Sequence, residues 1–337
     1  MHSNRKAYSG YYIDNDKLLQ SSSGGAAYAF AERFIENNGV VFGVTFSNSY
    51  KSVEYCIVDK VEELFRIQGT KYCSAKKEIN GVSIYELISN YLKKNTPVLV
   101  FGLGCDIASI SSYCQKKLLD TSLLYLVDLI CHGPVPNSIL KSFIEELEEE
   151  YKSPIKSFQM RKKIKKWHPF YIYAIFENKQ EFMARFEDTD FGIAFKRISK
   201  PQCTKCAFKG DNHKGDLCIG DFWGIKSSMK GWNQNGVSAI IVQTDKGLNL
   251  IKMLDDRFYL QEESCDFIIK HNMMYMKSRN STVDYNGFMN DLNQRGLKYA
   301  VSKIPKEKEG IKTSFKKVLP KGFVTIIKKI LRRSSDE

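Results

Sequence analysis

The chain has 337 residues, of which 43% are hydrophobic and 12% aromatic, enough apolar content for a sizeable core. Wholesale disorder is excluded. The longest uncharged apolar stretches are far shorter than the roughly 20 residues that a membrane-spanning helix requires. The first twenty residues mix charges with aromatics and lack the apolar run of a secretory signal, so we expect a cytoplasmic protein.

The net charge of +13 is unevenly distributed along the chain. From Lys298 to the end, twelve Lys or Arg residues stand against four acidic ones, which places +8 in the last forty residues. The rest of the chain is only mildly basic and shows no basic stripe comparable to the tail. Nucleic acid is therefore a poor candidate partner.

Strand-like and helix-like periods alternate along the chain, which predicts an α/β fold. Helical spacing predicts helices at residues 26–38, 82–94, 107–118, 137–151 and 190–198. Apolar and β-branched runs predict strands at residues 40–46, 53–58, 97–101, 123–130, 155–160, 171–176 and 181–186. We expect a mixed sheet with flanking helices.

Two predicted strands end beside a cysteine, namely Cys105 and Cys131. In open α/β sheets, ligands collect beyond the carboxyl ends of the strands. Cys203 and Cys206 form a C-x2-C pair, a spacing common to zinc and iron–sulfur sites. The four thiolates together match the number that a cubane cluster takes, and we expect such a cluster at loops that follow strand ends.

Six short motifs occur in a specific order. They are SSSGG at 21–25, GTKY at 69–72, Gly104-Cys105, DLICHG at 128–133, CTKC at 203–206 and GDFWG at 220–224. This set resembles the coenzyme F420 hydrogenase/dehydrogenase beta-subunit family from about Ser9 to Leu254. The resemblance implies an oxidoreductase that binds FAD and a 4Fe-4S cluster at loops that follow strand ends. The implied ligands of the cluster are Cys105, Cys131, Cys203 and Cys206. The resemblance also implies an external electron partner, either coenzyme F420 or a reduced ferredoxin.

The flavin-binding candidates each have an alternative interpretation. Ser22, Ser23, Gly24 and Gly25 precede a helix and suit a pyrophosphate, although the same string is typical of a helix cap. Lys71 suits a phosphate or the flavin ring, with Tyr72 packing on a ring; a solvated lysine is the alternative. Arg161 and Trp223 are further candidates for contact with FAD. The alternatives are that Arg161 belongs to a solvated basic run and that Trp223 belongs to a β-turn with core aromatics.

His132 and Asp221 are the candidates for a general acid. His132 adjoins Cys131 and suits a proton relay or a hydrogen bond to cluster sulfur. A structural hydrogen bond to backbone is its alternative. Cys218 is interpreted as a core thiol, with replacement of one of the four cluster ligands left open.

Two departures from the family pattern affect the expected electron path. Family members carry an amino-terminal ferredoxin-like segment, but no cysteine precedes Cys56 here, so we expect an external cluster to come from a partner protein. Asp106 follows the first ligand cysteine, and its charge would favour an oxidised cluster if its side chain faces it. The rival hypothesis is a non-enzymatic module in which the cysteines hold zinc.

We divide the chain into an arm (1–20), a flavin and cluster region (21–255), a helical extension (256–297) and a basic tail (298–337). The tail predicts an amphipathic helix, mainly at residues 323–333, that either docks on its own domain or attaches to an anionic membrane surface. Attachment would place the protein at the inner face of the membrane. The family resemblance also suggests a role in polysaccharide biosynthesis.

Overall fold

The computed structural model describes residues 5–164, 166–281 and 283–305, and the structural statements below concern these residues. The strands are β1 (Ala7–Tyr12), β2 (Val40–Phe46), β3 (Val53–Val58), β4 (Glu78–Ile79), β5 (Val82–Ser83), β6 (Val98–Leu103), β7 (Leu124–Leu129), β8 (Ile155–Lys162), β9 (Tyr171–Phe176), β10 (Glu181–Arg185), β11 (Leu217–Asp221), β12 (Ser238–Val242) and β13 (Phe258–Glu263). The helices are α1 (Asn15–Gln20), α2 (Ala26–Glu36), α3 (Ile84–Lys93), α4 (Gly104–Lys116), α5 (Asn137–Tyr151), α6 (Asp190–Arg197), α7 (Pro201–Thr204), α8 (Asp245–Met253), α9 (Cys265–His271), α10 (Met273–Met276) and α11 (Tyr285–Ser302).

An eight-stranded mixed sheet with the order β13-β1-β12-β11-β7-β6-β2-β3 organises the fold. The neighbours β11, β7, β6 and β2 are parallel, and antiparallel strands flank them on both sides. The mixed α/β class is therefore confirmed. Because these four strands are parallel, their carboxyl ends lie at one edge of the sheet. A separate antiparallel sheet, β10-β9-β8, carries the basic run that begins at Arg161.

Helices cover both faces of the large sheet. On β6, Leu99 and Phe101 join the core formed with α2 and α8, whereas Val98 and Val100 join the core formed with α3 and α4. Because successive side chains on a strand point to opposite faces, this partition requires a layer on each side. It also explains why β6 reads as a continuous apolar run.

Most predicted elements are present, with β2, β3 and α5 at their predicted bounds. The helix predicted at 107–118 begins earlier, at Gly104, so Cys105 lies in its first turn and not in a loop. Asp106 in this first turn is favourably placed toward the positive end of the helix dipole.

Two of the expected segments, 1–20 and 256–297, contain strands that the sequence did not predict. Residues 7–12 form β1 inside the large sheet, between β12 and β13, and are not an arm. Small buried residues hide this strand in the sequence: a Cβ on Gly10 would lie 2.3 Å from the Phe258 ring. The extension expected to be helical contains β13, an edge strand whose polar residues obscure its alternation.

The predicted tail helix at residues 323–333 lies outside the described residues, and its membrane attachment stays a prediction. Among the helices of the described ranges, each is too short or too polar to cross a bilayer.

Candidate functional site

A cavity of about 640 Å³ opens at the carboxyl ends of β6, β7 and β11. Leu103, Leu129 and Asp221, the last residues of these strands, line it. Its volume lies within the range of about 300–1,000 Å³ that is usual for ligand sites. The structure therefore places a ligand-sized cavity at the edge where the sequence predicts flavin and cluster.

Most of the predicted binding and acid residues line this cavity, although they come from distant parts of the chain. They are Ser22, Ser23, Gly25, Lys71, Tyr72, His132, Arg161, Asp221 and Trp223. Gly24 lies behind the lining, where a Cβ would meet the carbonyl oxygen of Gly10 at 2.1 Å.

The serine loop at residues 21–25 does not cap α2 with a side chain. Gly25 occupies the cap position with φ +80°, a conformation that favours glycine, and the N–H of Ala26 donates to the Ser238 hydroxyl at 3.4 Å. The hydroxyl of Ser22 instead pairs with that of Thr70, and the hydroxyl of Ser23 donates to the Val237 carbonyl at 2.8 Å. The first turn of α2 lines the cavity, which suits an anion at a helix N-terminus.

Lys71 is partly buried at the cavity wall, unlike a solvated lysine. Its Nζ donates to the carbonyls of Gln68, at 2.7 Å, and Arg66, at 3.3 Å. Burial lowers the pKa of this ammonium to about 7. An anionic ligand in the cavity would favour its charged form.

Tyr72 belongs to an aromatic wall. Its ring lies 4.3 Å from that of Phe195 and 5.0 Å from that of Phe186, centroid to centroid. Burial raises the pKa of Tyr72 to about 12, so the phenol stays neutral. This wall offers flat apolar surface to a ring system.

Arg161 and Asp221 form a buried ion pair in the cavity wall, with nitrogen–oxygen distances of 3.1 and 3.2 Å. The guanidinium also lies over the Phe170 ring, 4.2 Å from its centroid. The carboxylate therefore accepts both guanidinium hydrogen bonds. This engagement favours a structural or charge-positioning role for Asp221 over that of a free acid.

Lys163 was not a site candidate from sequence, because it lies in a run of basic residues that is typical of a solvated face. It is 7% exposed, and its Nζ donates to the backbone carbonyls of Leu18 and Ser23. Burial, with the charge of Arg161, lowers its pKa to about 7. Lys163 thus connects β8 to the serine loop.

His132 stacks on Phe195 at 4.6 Å and accepts a hydrogen bond from Arg279 at Nε2. Burial and the Arg279 charge lower its pKa to about 4. The ring is therefore neutral near pH 7, which removes the imidazolium as a proton donor but leaves a hydrogen-bond donor on the other nitrogen.

Trp223 lies at the mouth of the cavity and is 40% exposed. Its ring centroid lies 4.6 Å from that of Trp167. Phe222, the other aromatic of this turn, is buried in the core. The turn thus places one of its aromatics at the cavity and buries the other in the core.

The four cysteines predicted as cluster ligands lie within electrostatic range of one another. Burial is the main cause of the raised pKa of the Cys131 thiol, about 12, and Cys105 and Cys203 raise it further. Cys206 likewise contributes to the raised pKa values of the Cys105 and Cys203 thiols. The fold therefore brings thiols from three separate segments together.

Gly133 lies between the four cysteine thiols and the cavity. Its N–H donates to Cys131 Sγ at 3.2 Å, and a Cβ at this position would lie 3.8 Å from Cys203 Sγ. Gly133 and Cys131 also line the cavity, whereas Cys105, Cys203 and Cys206 lie beyond its lining. The turn forms a shared wall between the two sites.

A lysine beside the four cysteine thiols is another feature that the sequence pattern did not single out. Lys209 Nζ donates to the carbonyl oxygens of Cys131 and Met274, and its charge offsets part of the rise in the pKa values of Cys131 and Cys203. Such a cation suits thiolates and the anionic group that they would hold.

The donor set consists of four thiols, which matches a cubane in number and type. In the described part of the chain, no three His, Cys, Asp or Glu side chains converge as ligands of one ion. Thiolates on a cubane each bind a different iron and are spaced more widely. Cys218 is fully buried, with its sulfur 3.9 Å from His213 Nδ1, which fits the predicted core thiol.

Asp106 is buried beside Cys105, and its charge is paired. Lys77 Nζ lies 2.7 Å from Asp106 Oδ1, while the Tyr55 hydroxyl lies 3.5 Å from Oδ2. Burial and, after it, the Asp106 carboxylate raise the pKa of the Cys105 thiol, and Lys77 offsets part of this effect.

Two comparisons relate this chain to known proteins. A family model that describes the C terminus of the coenzyme F420 hydrogenase/dehydrogenase beta subunit matches residues 96–266. Among solved structures, a chain of the xenon-derivatised F420-reducing NiFe hydrogenase complex from Methanosarcina barkeri is similar in fold. It shares 16% identity with a TM-score of 0.51, over 80% of this chain and 88% of that chain. The chain therefore belongs to the coenzyme F420 hydrogenase/dehydrogenase beta-subunit family, a family of redox proteins.

Proposed function

We propose that this chain is an iron–sulfur flavoprotein oxidoreductase. It would pass electrons between FAD, a 4Fe-4S cluster and an external carrier, either a deazaflavin such as coenzyme F420 or a ferredoxin. The observation that carries this proposal is the Gly133 turn, which lines the cavity, donates a hydrogen bond to Cys131 Sγ and lies beside the Cys203 side chain. Two cofactors on either side of this turn would be close enough to exchange electrons.

The cavity residues fit FAD by their chemistry. The first turn of α2 and Lys71 would hold the pyrophosphate, because both favour negative charge. The aromatic wall around Tyr72 would pack against the ring system and exclude water. FAD, when bound, supplies two-electron chemistry, which a one-electron cluster can divide into single steps.

The four-thiol group fits a 4Fe-4S cluster by ligand number and type. Cys105, Cys131, Cys203 and Cys206 would bind as thiolates, and Lys209 would offset part of the resulting charge. His132, neutral near pH 7, would serve as a hydrogen-bond donor between the two sites. A role in polysaccharide biosynthesis stays a prediction from the family resemblance.

The test is anaerobic purification followed by metal analysis, flavin analysis and spectroscopy. We expect about four iron and four sulfide per chain, together with noncovalent FAD that is released on denaturation. Electron paramagnetic resonance should show a signal after one-electron reduction. Stoichiometric zinc without iron would instead support the non-enzymatic metal-stabilised module.

A further inference from the structure

Two segments outside the tail, 196–214 and 267–281, carry a large excess of basic over acidic residues, and together we call them the basic strip. It contains a single acidic residue, Asp211. Its basic residues are Lys196, Arg197, Lys200, Lys205, Lys209, Lys214, Lys270, Lys277 and Arg279. Since residues 298–337 hold +8 of the net +13 and the strip holds another +8, the rest of the chain carries −3.

The two segments of the basic strip are joined along their length. The Cys206 N–H donates to Ser278 Oγ at 2.9 Å, and Ser281 Oγ donates to the Arg197 carbonyl at 2.9 Å. Lys209 adds the hydrogen bond to the Met274 carbonyl. The strip is thus one surface that contains the Cys203 and Cys206 thiols.

Apolar side chains interrupt the charge on this surface. Met273 is 60% exposed and Met276 is 40% exposed. Cys105, from the first turn of α4, is exposed as well. An adaptable apolar centre with a charged rim is the usual anatomy of a protein–protein interface, and methionine suits surfaces that must repack.

We propose that the basic strip docks an acidic one-electron carrier protein. This inference rests on the proposed function and assigns it an entry point for electrons. Opposite charge would steer the carrier to the strip, and the methionines would contact its apolar centre. One electron would leave the reduced carrier, which is oxidised, and reduce the group held by the four thiolates, with no bond made or broken.

The experiment compares two charge reversals in the full-length, anaerobically prepared protein. The strip variant is Lys214→Glu/Lys277→Glu, one lysine from each segment and neither inside the C-x2-C motif. The matched control is Lys116→Glu/Lys117→Glu, an exposed pair at the far end of α4. This pair is about 18 Å along the helix from Cys105, at 1.5 Å per residue.

The probe is an acidic plant-type ferredoxin, and its Kd is measured by fluorescence anisotropy at 50 and 300 mM salt. We expect binding to the unmodified chain that weakens with salt. The strip variant should bind at least tenfold more weakly at low salt, and the control variant within twofold of the unmodified chain. A basic c-type cytochrome should not bind.

Equal affinities of the strip and control variants would overturn the docking inference. So would strip-dependent binding of anionic vesicles or single-stranded DNA without binding of the ferredoxin. Iron content, measured on the same samples, separates this inference from the proposed function. Loss of docking with iron intact supports the strip as the docking surface, because the cluster is still assembled, whereas absence of iron from the unmodified chain refutes the proposed function.

Discussion

Arg161 and Asp221 come from different sheets and are sixty residues apart, yet they form a two-point ion pair in the cavity wall. Their side chains are only 8% and 15% exposed. Arg161 lies near the end of β8, within the register shift between Gln159 and Lys162, and Asp221 is the last residue of β11. The pair therefore connects the small antiparallel sheet to the carboxyl edge of the large one.

Replacing Asp221 by Asn should destabilise the protein strongly. The change leaves the Arg161 guanidinium buried without its counter-charge, and breaking a buried pair in this way costs about 3–5 kcal/mol. Urea denaturation followed by circular dichroism measures the free energy of unfolding. The double variant Arg161→Gln/Asp221→Asn should recover part of the loss, because no unpaired charge remains. Equal destabilisation of the single and double variants would contradict a coupled pair.

Gly25→Asp should weaken FAD binding by at least about 100-fold, because like charges placed together cost several kcal/mol. The new Cβ would lie 3.3 Å from the Ser21 side chain, so the change adds a negative charge to the loop proposed to hold the pyrophosphate. Gly81→Asp is the matched control, since Gly81 also has a positive φ, +77°, but lies outside the cavity lining. Isothermal titration of flavin-depleted protein gives both affinities. Similar loss in both variants would assign the effect to backbone strain.

Cys203→Ala should remove the iron and its visible absorbance, since it deletes one of four thiolates. Cys114→Ala is the control, because Cys114 is a buried core cysteine on α4 and is not one of the four predicted ligands. Iron and sulfide are measured after anaerobic purification of each variant. Full iron retention in the Cys203 variant would exclude this residue from the ligand set.

The stability of the protein should rise with pH between about 7 and 8.5. Burial lowers the pKa of Lys163 to about 7 from its ordinary 10.5, so in this window the unfolded chain binds more protons than the folded one. Lys163 then adds about 1.4 kcal/mol per pH unit to the free energy of unfolding, or about 2 kcal/mol over the window. Lys71, whose pKa burial also lowers to about 7, acts in the same direction. Above about pH 9 the buried thiols oppose this rise, because burial raises the pKa values of Cys73, Cys131 and Cys218.

The control for this pH dependence is Lys163→Met, which keeps most of the side-chain volume and removes the titrating group. Its free energy of unfolding, measured by urea denaturation at each pH, should rise less steeply than that of the unmodified protein. A slope unchanged by the substitution would show that Lys163 does not titrate in this range.

Local pattern was sufficient for the elements and for the identity of the site motifs. The apolar run of β6 and the helical period of α5 are each encoded within one short segment, so they can be recognised without knowledge of the partners. The same holds for the C-x2-C spacing of Cys203 and Cys206. β1 and β13 were missed because their small or polar residues are explained only by the strands beside them.

Tertiary structure decided which of these residues share a site and in what state. The sequence by itself singled out Arg161 and Asp221 separately, but their pairing depends on how two sheets meet. It could not distinguish Lys163 from its solvated neighbours, because burial and the resulting lowered pKa come from the serine loop packed above it. Proximity and desolvation are properties of the folded chain, and they determine the charge of the lysines and of His132 at the cavity.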